Sequence, residues 1–495
     1  MPEIAYGTPA GRWVIAASVL GSGLVFLDST VVNVALPAIS NELGGGIAGL
    51  QWVLDAYLLM LGALIIFGGS LGDILGRRRV FVWGLLAFTV ASVICGLAPN
   101  LESLIGARAL QGAAGALLVP ASLALVSSYF RSQDRGRAIG AWSGLSGMST
   151  AAGPFLGGYL VDAVSWRLVF LINLPAALIT LWIAVRHVPE SPRDPFAVPD
   201  WSGAVLAALA LGRAVFALIE GPVRGFSSNA ILAAILVAGA AAVLLVLRER
   251  HTKSPMVPGS IFLSRQFSGA NATTFAVYAS LGGAMFLFVV QLQQSLGYSA
   301  LEAGAALFPI TLILVVLSPR MGRVSARLGP RWPMTFGPLI VSAGLTLFTR
   351  SVPGSSYATA VLPAVIVFGL GLAITVAPLT SAVLAAADPG HQGLASGINN
   401  AVARLAGLAA VAVLPFASGL TGGDASLTEG FRTAMLICAV TCLAGGLVAA
   451  LTIRESAPLR CLFSPPAFHS CAPAEAREAG PTGASGTPRE GSEEK

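Results

Sequence analysis

Asp28, Asp55 and Arg108 each interrupt a long apolar stretch of this 495-residue chain, and a charge in such a place needs a chemical reason. At a helical rise of 1.5 Å per residue, Asp28 lies about 24 Å along its helix from Arg12, Asp55 about 27 Å from Asp73 and Arg108 about 30 Å from Ser128. All three depths fall in the same outer part of a membrane-spanning bundle. Charge inside a membrane is costly, so these side chains are expected to face the bundle interior or a water path. Two carboxylates within reach of one arginine form a set whose protonation can be exchanged against a ligand. The histidines are His187, His251, His391 and His469, all in loops or the tail, so any proton must ride on carboxylates. Arg404, with Asn399 and Asn400, sits near the midplane of another apolar run, about 17 Å from Gly393. A cavity-facing substrate contact and an interhelical hydrogen bond are both open to these three residues. Arg213, also near a midplane, has Glu220 two turns away as a candidate partner.

Other chemistries are excluded by what the chain lacks. Its only lysines are Lys253 and Lys495, neither in a G-x-x-x-x-G-K-[ST] context, so it has no phosphate loop and no ATPase of its own. Cys95, Cys438, Cys442, Cys461 and Cys471 have neither metal spacing nor the look of a disulfide framework, and no metal or cofactor is expected. The net charge of +6 is spread over loop arginines and does not suggest a nucleic-acid surface.

The elements that must hold these residues are helices. Hydrophobic residues make up 55% of the chain and charged ones 11%, with a mean hydropathy of +0.79. Soluble domains carry about 25% charged residues, so this is a membrane protein. Apolar runs at 12–40, 51–72, 80–98, 101–128, 138–162, 168–186, 201–220, 229–247, 267–292, 301–318, 334–350, 356–386, 393–418 and 431–453 predict about fourteen spans. With no water to satisfy open backbone groups, they must form an all-α bundle. If the N-terminus is cytoplasmic, nineteen Lys and Arg residues fall on the inner side, among them Arg77–Arg79, and four on the outer. That asymmetry supports the even count and places both termini in the cytoplasm. No cleavable signal peptide is expected.

An internal repeat sets the domain plan. The loop Gly69-Ser-Leu-Gly-Asp73-Ile-Leu-Gly76-Arg77-Arg78-Arg79 returns as Gly322-Arg-Val-Ser-Ala326-Arg-Leu-Gly329-Pro-Arg331, shifted by 253 residues. The shift suits two six-helix bundles, residues 1–186 and 266–453, separated by a linker and two inserted helices within 187–265. Residues 454–495, rich in Pro, Gly, Ser and Glu, are expected to be a disordered cytoplasmic tail.

At this point the chain resembles the major facilitator superfamily and, within it, the fourteen-helix drug:proton antiporters. The resemblance runs from about residue 12 to 455 and rests on four segments. The loop at Gly69, Asp73, Gly76, Arg77 and Arg78 is similar to the superfamily's loop signature, which implies a conformational latch at the inner face; Ala326 replaces the acid in the second copy. Ala138-Ile-Gly140 through Gly153-Pro154-Phe-Leu-Gly157-Gly158 is similar to the antiporter signature, with Ser149 in place of one glycine, and implies export. Leu27-Asp28-Ser-Thr-Val-Val-Asn33 is similar to the first-helix signature of multidrug exporters. Arg108-Ala-Leu-Gln111-Gly112 is similar to a signature that places an arginine near the proton path. Asn33 and Gln111 join Asn399, Asn400 and Arg404 as candidate cavity residues. The resemblance implies a non-enzymatic, monomeric carrier in a bacterial plasma membrane. It would export amphipathic or cationic small molecules, drugs or antibiotic-like secondary metabolites, in exchange for protons, without nucleic-acid partners. A proton-coupled importer on the same fold, or a non-transporting membrane sensor, are the alternatives.

Overall fold

The computed structural model describes residues 4–191, 200–252, 259–386, 392–421 and 426–453; the tail, including Cys461 and Cys471, and the side chain of Asp73 lie outside the described residues. The first helices are α1 (Pro9–Leu43), α2 (Gly46–Leu75), α3 (Arg77–Gly96), α4 (Leu101–Tyr129), α5 (Ser132–Ala163), the short α6 (Leu168–Leu171) and α7 (Asn173–His187). Next come α8 (Trp201–Arg224) and α9 (Asn229–His251), then α10 (Arg265–Val290), which runs into a π turn at Gln291–Ser295. The chain continues through α11 (Ala300–Ala306), α12 (Phe308–Leu328), α13 (Arg331–Phe348), a second π turn at Tyr357–Val361, α14 (Leu362–Ala385), α15 (Gln392–Ala417) and α16 (Leu427–Thr452).

Among the described residues, twelve helical segments are long and apolar enough to cross a membrane, two fewer than the fourteen expected. The two long helices outside that set are α5 and α13. Helix α5 is diluted by Gly, Ser and Thr and begins with Asp134, Arg135 and Arg137, while α13 is only 18 residues long and includes Arg331 and two prolines. Large apolar side chains point outward in helical stripes, such as Trp83, Leu86, Val90 and Ile94 on α3 and Leu436, Val440, Leu443 and Leu447 on α16. Polar side chains such as Asp28, Gln51, Arg108, Gln111 and Asn173 are fully buried. An apolar exterior around a polar interior is what lipid as solvent requires.

Helices α1 to α7 pack mainly on one another, as do α10 and α12 to α16; the short α11 packs mainly on α5, and α8 lies against α9, α2 and α15. The repeat shows in the backbone. Gly76 and Gly329, the positions the 253-residue shift superposes, both end a helix with positive φ, +101° and +84°. Their amides bond to the carbonyls of Gly72 and Ser325 four residues back. A left-handed cap of this kind favours glycine, which explains why both copies keep it.

The two sets of helices meet most intimately at the end of the bundle remote from Arg77–Arg79. Asp162, at the end of α5, accepts hydrogen bonds from the Ala300 and Leu301 amides at 3.1 and 2.7 Å, and Ser299 caps the third free amide of α11. A Cβ on Gly158 would stand 2.4 Å from the Ala300 carbonyl oxygen, and one on Gly304 would stand 2.1 Å from that of Pro154. Gln51 of α2 donates to the Val411 and Ala412 carbonyls of α15, and Gln293 donates to Val34 of α1. Toward the Arg77–Arg79 end this intimacy is lost. A Cβ on Gly136, Gly140, Gly144 or Gly147 of α5, or on Gly397 of α15, would meet nothing within 4 Å. We read these open faces of α5 and α15 as the walls of a cleft between the sets that widens toward that end.

Backbone opposes backbone at Gly158, so no side-chain adjustment can accommodate a larger residue. Gly158→Leu is therefore expected to part the two sets at the sealed end. Spin labels at the exposed positions Val164 and Gln294 check this. Their mean separation should rise by several ångströms, and an unchanged separation would show that the seal does not depend on this approach.

Candidate functional site

Five helices converge on one buried ion pair. Asp28 lies on α1, two turns and more from either end, and is 0% exposed, as is Arg108 on α4. The Arg108 Nη1 donates to Asp28 Oδ2 at 2.5 Å and to Gln111 Oε1 at 2.7 Å; its Nε donates to the Val53 carbonyl of α2 at 3.1 Å. The other Asp28 oxygen accepts from Gln111 Nε2 at 2.8 Å and from Asn173 Nδ2, on α7, at 3.2 Å. Ser92 of α3 accepts from both amides and donates to the Phe170 carbonyl. The guanidinium also lies over the ring of Tyr57, 4.2 Å from its centroid. Breaking such a pair by removing one partner costs about 3–5 kcal/mol, because a charge is left buried and uncompensated.

Glycine makes the convergence possible. A Cβ on Gly112 would come within 2.2 Å of the Tyr57 carbonyl oxygen, and one on Gly68 within 2.1 Å of that of Ala116, so α2 and α4 touch backbone to backbone. On the other side of α1, a Cβ on Gly153 would stand 2.0 Å from Thr30 Oγ1 and one on Gly157 2.8 Å from the Val31 carbonyl oxygen. The Gly153-Pro154 to Gly158 stretch thus presses α5 on α1 through Gly153 and Gly157 and on α11 through Gly158. Ser149 keeps its place against Gly23, where a Cβ would stand 2.8 Å from the serine oxygen. Gly140, read as part of the same stripe, faces open space.

Asp55 does not join the Asp28–Arg108 pair, contrary to the sequence-based expectation. It is 0% exposed, and both its carboxylate oxygens are without a hydrogen-bond partner among the described residues. The cause is rotational phase. Val53 and Tyr57 turn toward α4, and a residue two positions away on a helix points roughly 160–200° off. Asp55 instead shares the stripe of Gln51 and Gly62, both of which contact α15.

The candidate cavity residues separate into groups. Gln111 belongs to the ion-pair network. Asn399 accepts from Thr274 Oγ1 at 2.7 Å and so forms an interhelical bond between α15 and α10. Asn33 and Asn400 bond only to the Ser29 and Ser396 carbonyls of their own helices, and Asn400 is exposed. Arg404 is half-buried, with its Cζ 5.3 Å from the centroid of the Phe26 ring, across the cleft on α1. Arg213 is exposed and does not pair with Glu220, which instead accepts from Arg224 at 2.7 Å and from the Trp52 indole at 2.9 Å.

At the opposite end of α2, the Asp73 carboxylate, read as the heart of the latch, lies outside the described side chains. Its neighbours hold the first helices together. The Arg77 amide donates to Ser191 Oγ and its Nη1 to the Ala124 carbonyl, Arg78 reaches the Val185 carbonyl, and Arg79 pairs with Glu190 at 3.6 Å. Gly69 rests on Pro120 of α4.

Sequence reasoning missed Ser92, Asn173, Tyr57 and Asp162. Asn173 carried a usable signal, since it is a lone amide in the apolar run from Leu168. Ser92 and Tyr57 carried none that separates them from ordinary helix residues.

Residues 18–411 and 272–467 match the profile of the Major Facilitator Superfamily. The chain is 34% identical over 401 residues to the multidrug resistance protein Stp of Mycobacterium tuberculosis, a match covering 81% of this chain and 74% of that protein. It is 36% identical over 407 residues to a methylenomycin A resistance protein of Streptomyces coelicolor, covering 81% and 85%. Its fold is similar to that of a POT family transporter solved in complex with 5-aminolevulinic acid, with a TM-score of 0.68 at 14% identity over 89% of this chain and 96% of that one. Twelve apolar spans and these relatives make it a multi-pass bacterial membrane protein. A profile matching most of the chain, two antibiotic-resistance relatives above 30% identity and an all-helical transporter fold together establish that this chain belongs to the Major Facilitator Superfamily.

Proposed function

We propose that this protein is a proton-coupled exporter of amphipathic small molecules, and that it works as a monomer without catalysing a reaction. The observation that carries the reading is the pair of buried acids in different states, Asp28 fully bonded to Arg108 and Asp55 with no partner. A carboxyl group enclosed away from water without a partner is stable only when neutral, whereas one bonded to a guanidinium is stable as the anion. One acid holding a proton while the other is ionised is the asymmetry a proton-driven cycle needs. The drug-resistance names of the relatives support export, and so does the packing of the Gly153–Gly158 stripe on both α1 and α11.

In this reading α5 and α13 also cross the membrane, giving fourteen spans, with bundles at 1–186 and 266–453 and the α8–α9 pair inserted between them. The Arg77–Arg79 end and both termini lie in the cytoplasm, so the cleft is open inward and sealed outward. Substrate enters from the cytoplasmic side. Protonation of Asp28 from outside loosens its bond to Arg108 as the substrate leaves, and Asp55 hands its proton inward as the carrier resets. The loop at Gly69, Asp73, Gly76, Arg77 and Arg78 couples this exchange to the movement of the two sets.

Expression in an efflux-deficient bacterium is expected to lower accumulation of a fluorescent amphipathic dye, an effect abolished by a protonophore. Asp28→Asn should lose that export at wild-type protein levels and destabilise the purified protein by about 3 kcal/mol, since Arg108 loses its carboxylate. Asp55→Asn should lose export as well, but melt at or above the wild-type temperature, because no bond is removed. Protonophore-sensitive export that survives Asp28→Asn would take Asp28 out of the proton path. A large drop in melting temperature for Asp55→Asn would show that its carboxylate is held by a partner and is not the free proton carrier.

A further inference from the structure

Arg404 is a cation without a counter-ion. It stands at the middle of α15, 12 residues from Gln392 and 13 from Ala417, and no carboxylate among the described residues pairs with it. Among the described residues its ring contact is the face of Phe26, and the titratable groups within electrostatic reach are the hydroxyls of Tyr57 and Tyr278. Tyr57 donates its proton to the Val25 carbonyl at 2.9 Å and does not turn an oxygen lone pair into a counter-charge. The nearest acids are accounted for elsewhere. Asp28 is consumed by Arg108, Gln111 and Asn173, and Asp55 lies on the stripe of α2 packed against α15 with no bond to any guanidinium. The arginine is also accessible, since it is half-buried, whereas Arg108 is sealed at 0% exposure.

A guanidinium offers five N–H donors in a plane that matches a carboxylate, and its surroundings here supply no acceptor for them. The helices around it supply aromatic surface instead, from Phe26 on α1 and Tyr278 on α10. Among the described residues the uncompensated charge facing the cleft is therefore that of Arg404, because the Asp28–Arg108 pair is neutral as a unit.

We propose that Arg404 is the anchor for an anionic group on the transported molecule, and that the preferred substrates are aromatic or amphipathic monoanions, carboxylates above all, and not the cations that family resemblance alone allows. The carboxylate binds the guanidinium between the two sets of helices, while its apolar body rests against Phe26. This rests on the reading of the cleft as the substrate path.

Three naphthalene derivatives of one ring and different charge test it: 2-naphthoate, its methyl ester and 2-naphthylmethylammonium, bound to the purified full-length protein by equilibrium dialysis at neutral pH. Naphthoate is expected to bind at least about tenfold more tightly than the other two, the equivalent of one charge-assisted hydrogen bond. Arg404→Gln should bring naphthoate down to the level of the ester and leave the ester unchanged, and Arg404→Lys should keep part of the preference. Equal binding of the three compounds to the wild type overturns the proposal, as does absent naphthoate binding or a naphthoate advantage that survives in a well-folded Arg404→Gln protein. The wild-type comparison needs no variant and stands even if Arg404→Gln misfolds. Protonophore-sensitive dye export by the same preparation reports separately on the exporter reading. Export without anion preference overturns the role of Arg404 and leaves the exporter standing, while anion preference without export does the reverse.

Discussion

A bilayer offers no partner to a buried charge, and the Asp28–Arg108 pair is where this chain meets that constraint. The donors and acceptors around the pair come from five helices: the carboxylate from α1, the guanidinium and Gln111 from α4, Ser92 from α3, Asn173 from α7 and the Val53 carbonyl from α2. The cost of leaving any of them unsatisfied, several kcal/mol in a medium without water, locks the relative depth and rotation of all five. The glycines serve the same end. Gly112 lets α4 come close enough to α2 for Arg108 to reach a main-chain carbonyl and the face of Tyr57. Small residues and buried charges are two aspects of one arrangement here, since the ion pair would be out of reach if the backbones stood farther apart.

The second set of helices has no such network at the equivalent depth. Its buried polar side chains make short local bonds to a side chain or to the backbone, such as Thr274 with Asn399 and Ser280 with the Cys438 carbonyl. Arg404 is its one prominent charge on the cleft. The two sets thus divide the chemistry unequally: a closed, self-compensating charge cluster in one and an open cation in the other. The asymmetry follows the loop repeat, where the first copy has Asp73 and the second Ala326.

Much of this was legible in the residues, for definite reasons. The positions of the helices follow from apolar runs, and Asp28 and Arg108 were placed at similar depth by counting residues at a fixed rise. Gly76 and Gly329 stand out as equivalent positions of a repeated loop, and both turn out to end a helix with positive φ. Depth, however, is only one of the two coordinates of a residue on a helix. The rotation that separates Asp55 from Val53 and Tyr57 depends on which face of α2 meets α4, a tertiary outcome with no trace in the surrounding apolar run. The same holds for Arg213 and Glu220, whose spacing suited a pair until Arg224, one turn from Glu220, proved the better partner. The two long helices outside the twelve apolar spans differ from the rest for separate reasons: in α5, glycines in close contact with α1 and α11 take the place of apolar bulk, while α13 is short, with Arg331 and a proline in its first turn.

The contact of Asp162 with the first amides of α11 has a bearing on how fast the molecule can work. Both faces of that contact are hydrophilic, a carboxylate on one and unpaired backbone N–H groups on the other. When the sets part there, water can take over each of these two bonds, so they add little to the cost of opening; that cost lies in the buried apolar cluster the two sets share, with Val31 and Ile39 of α1 and Leu287 and Ala303 of the second set. Wettable bonds at the rim and a dry, charge-paired cluster deeper in give a door whose outer latch lets go readily around a hinge that does not melt.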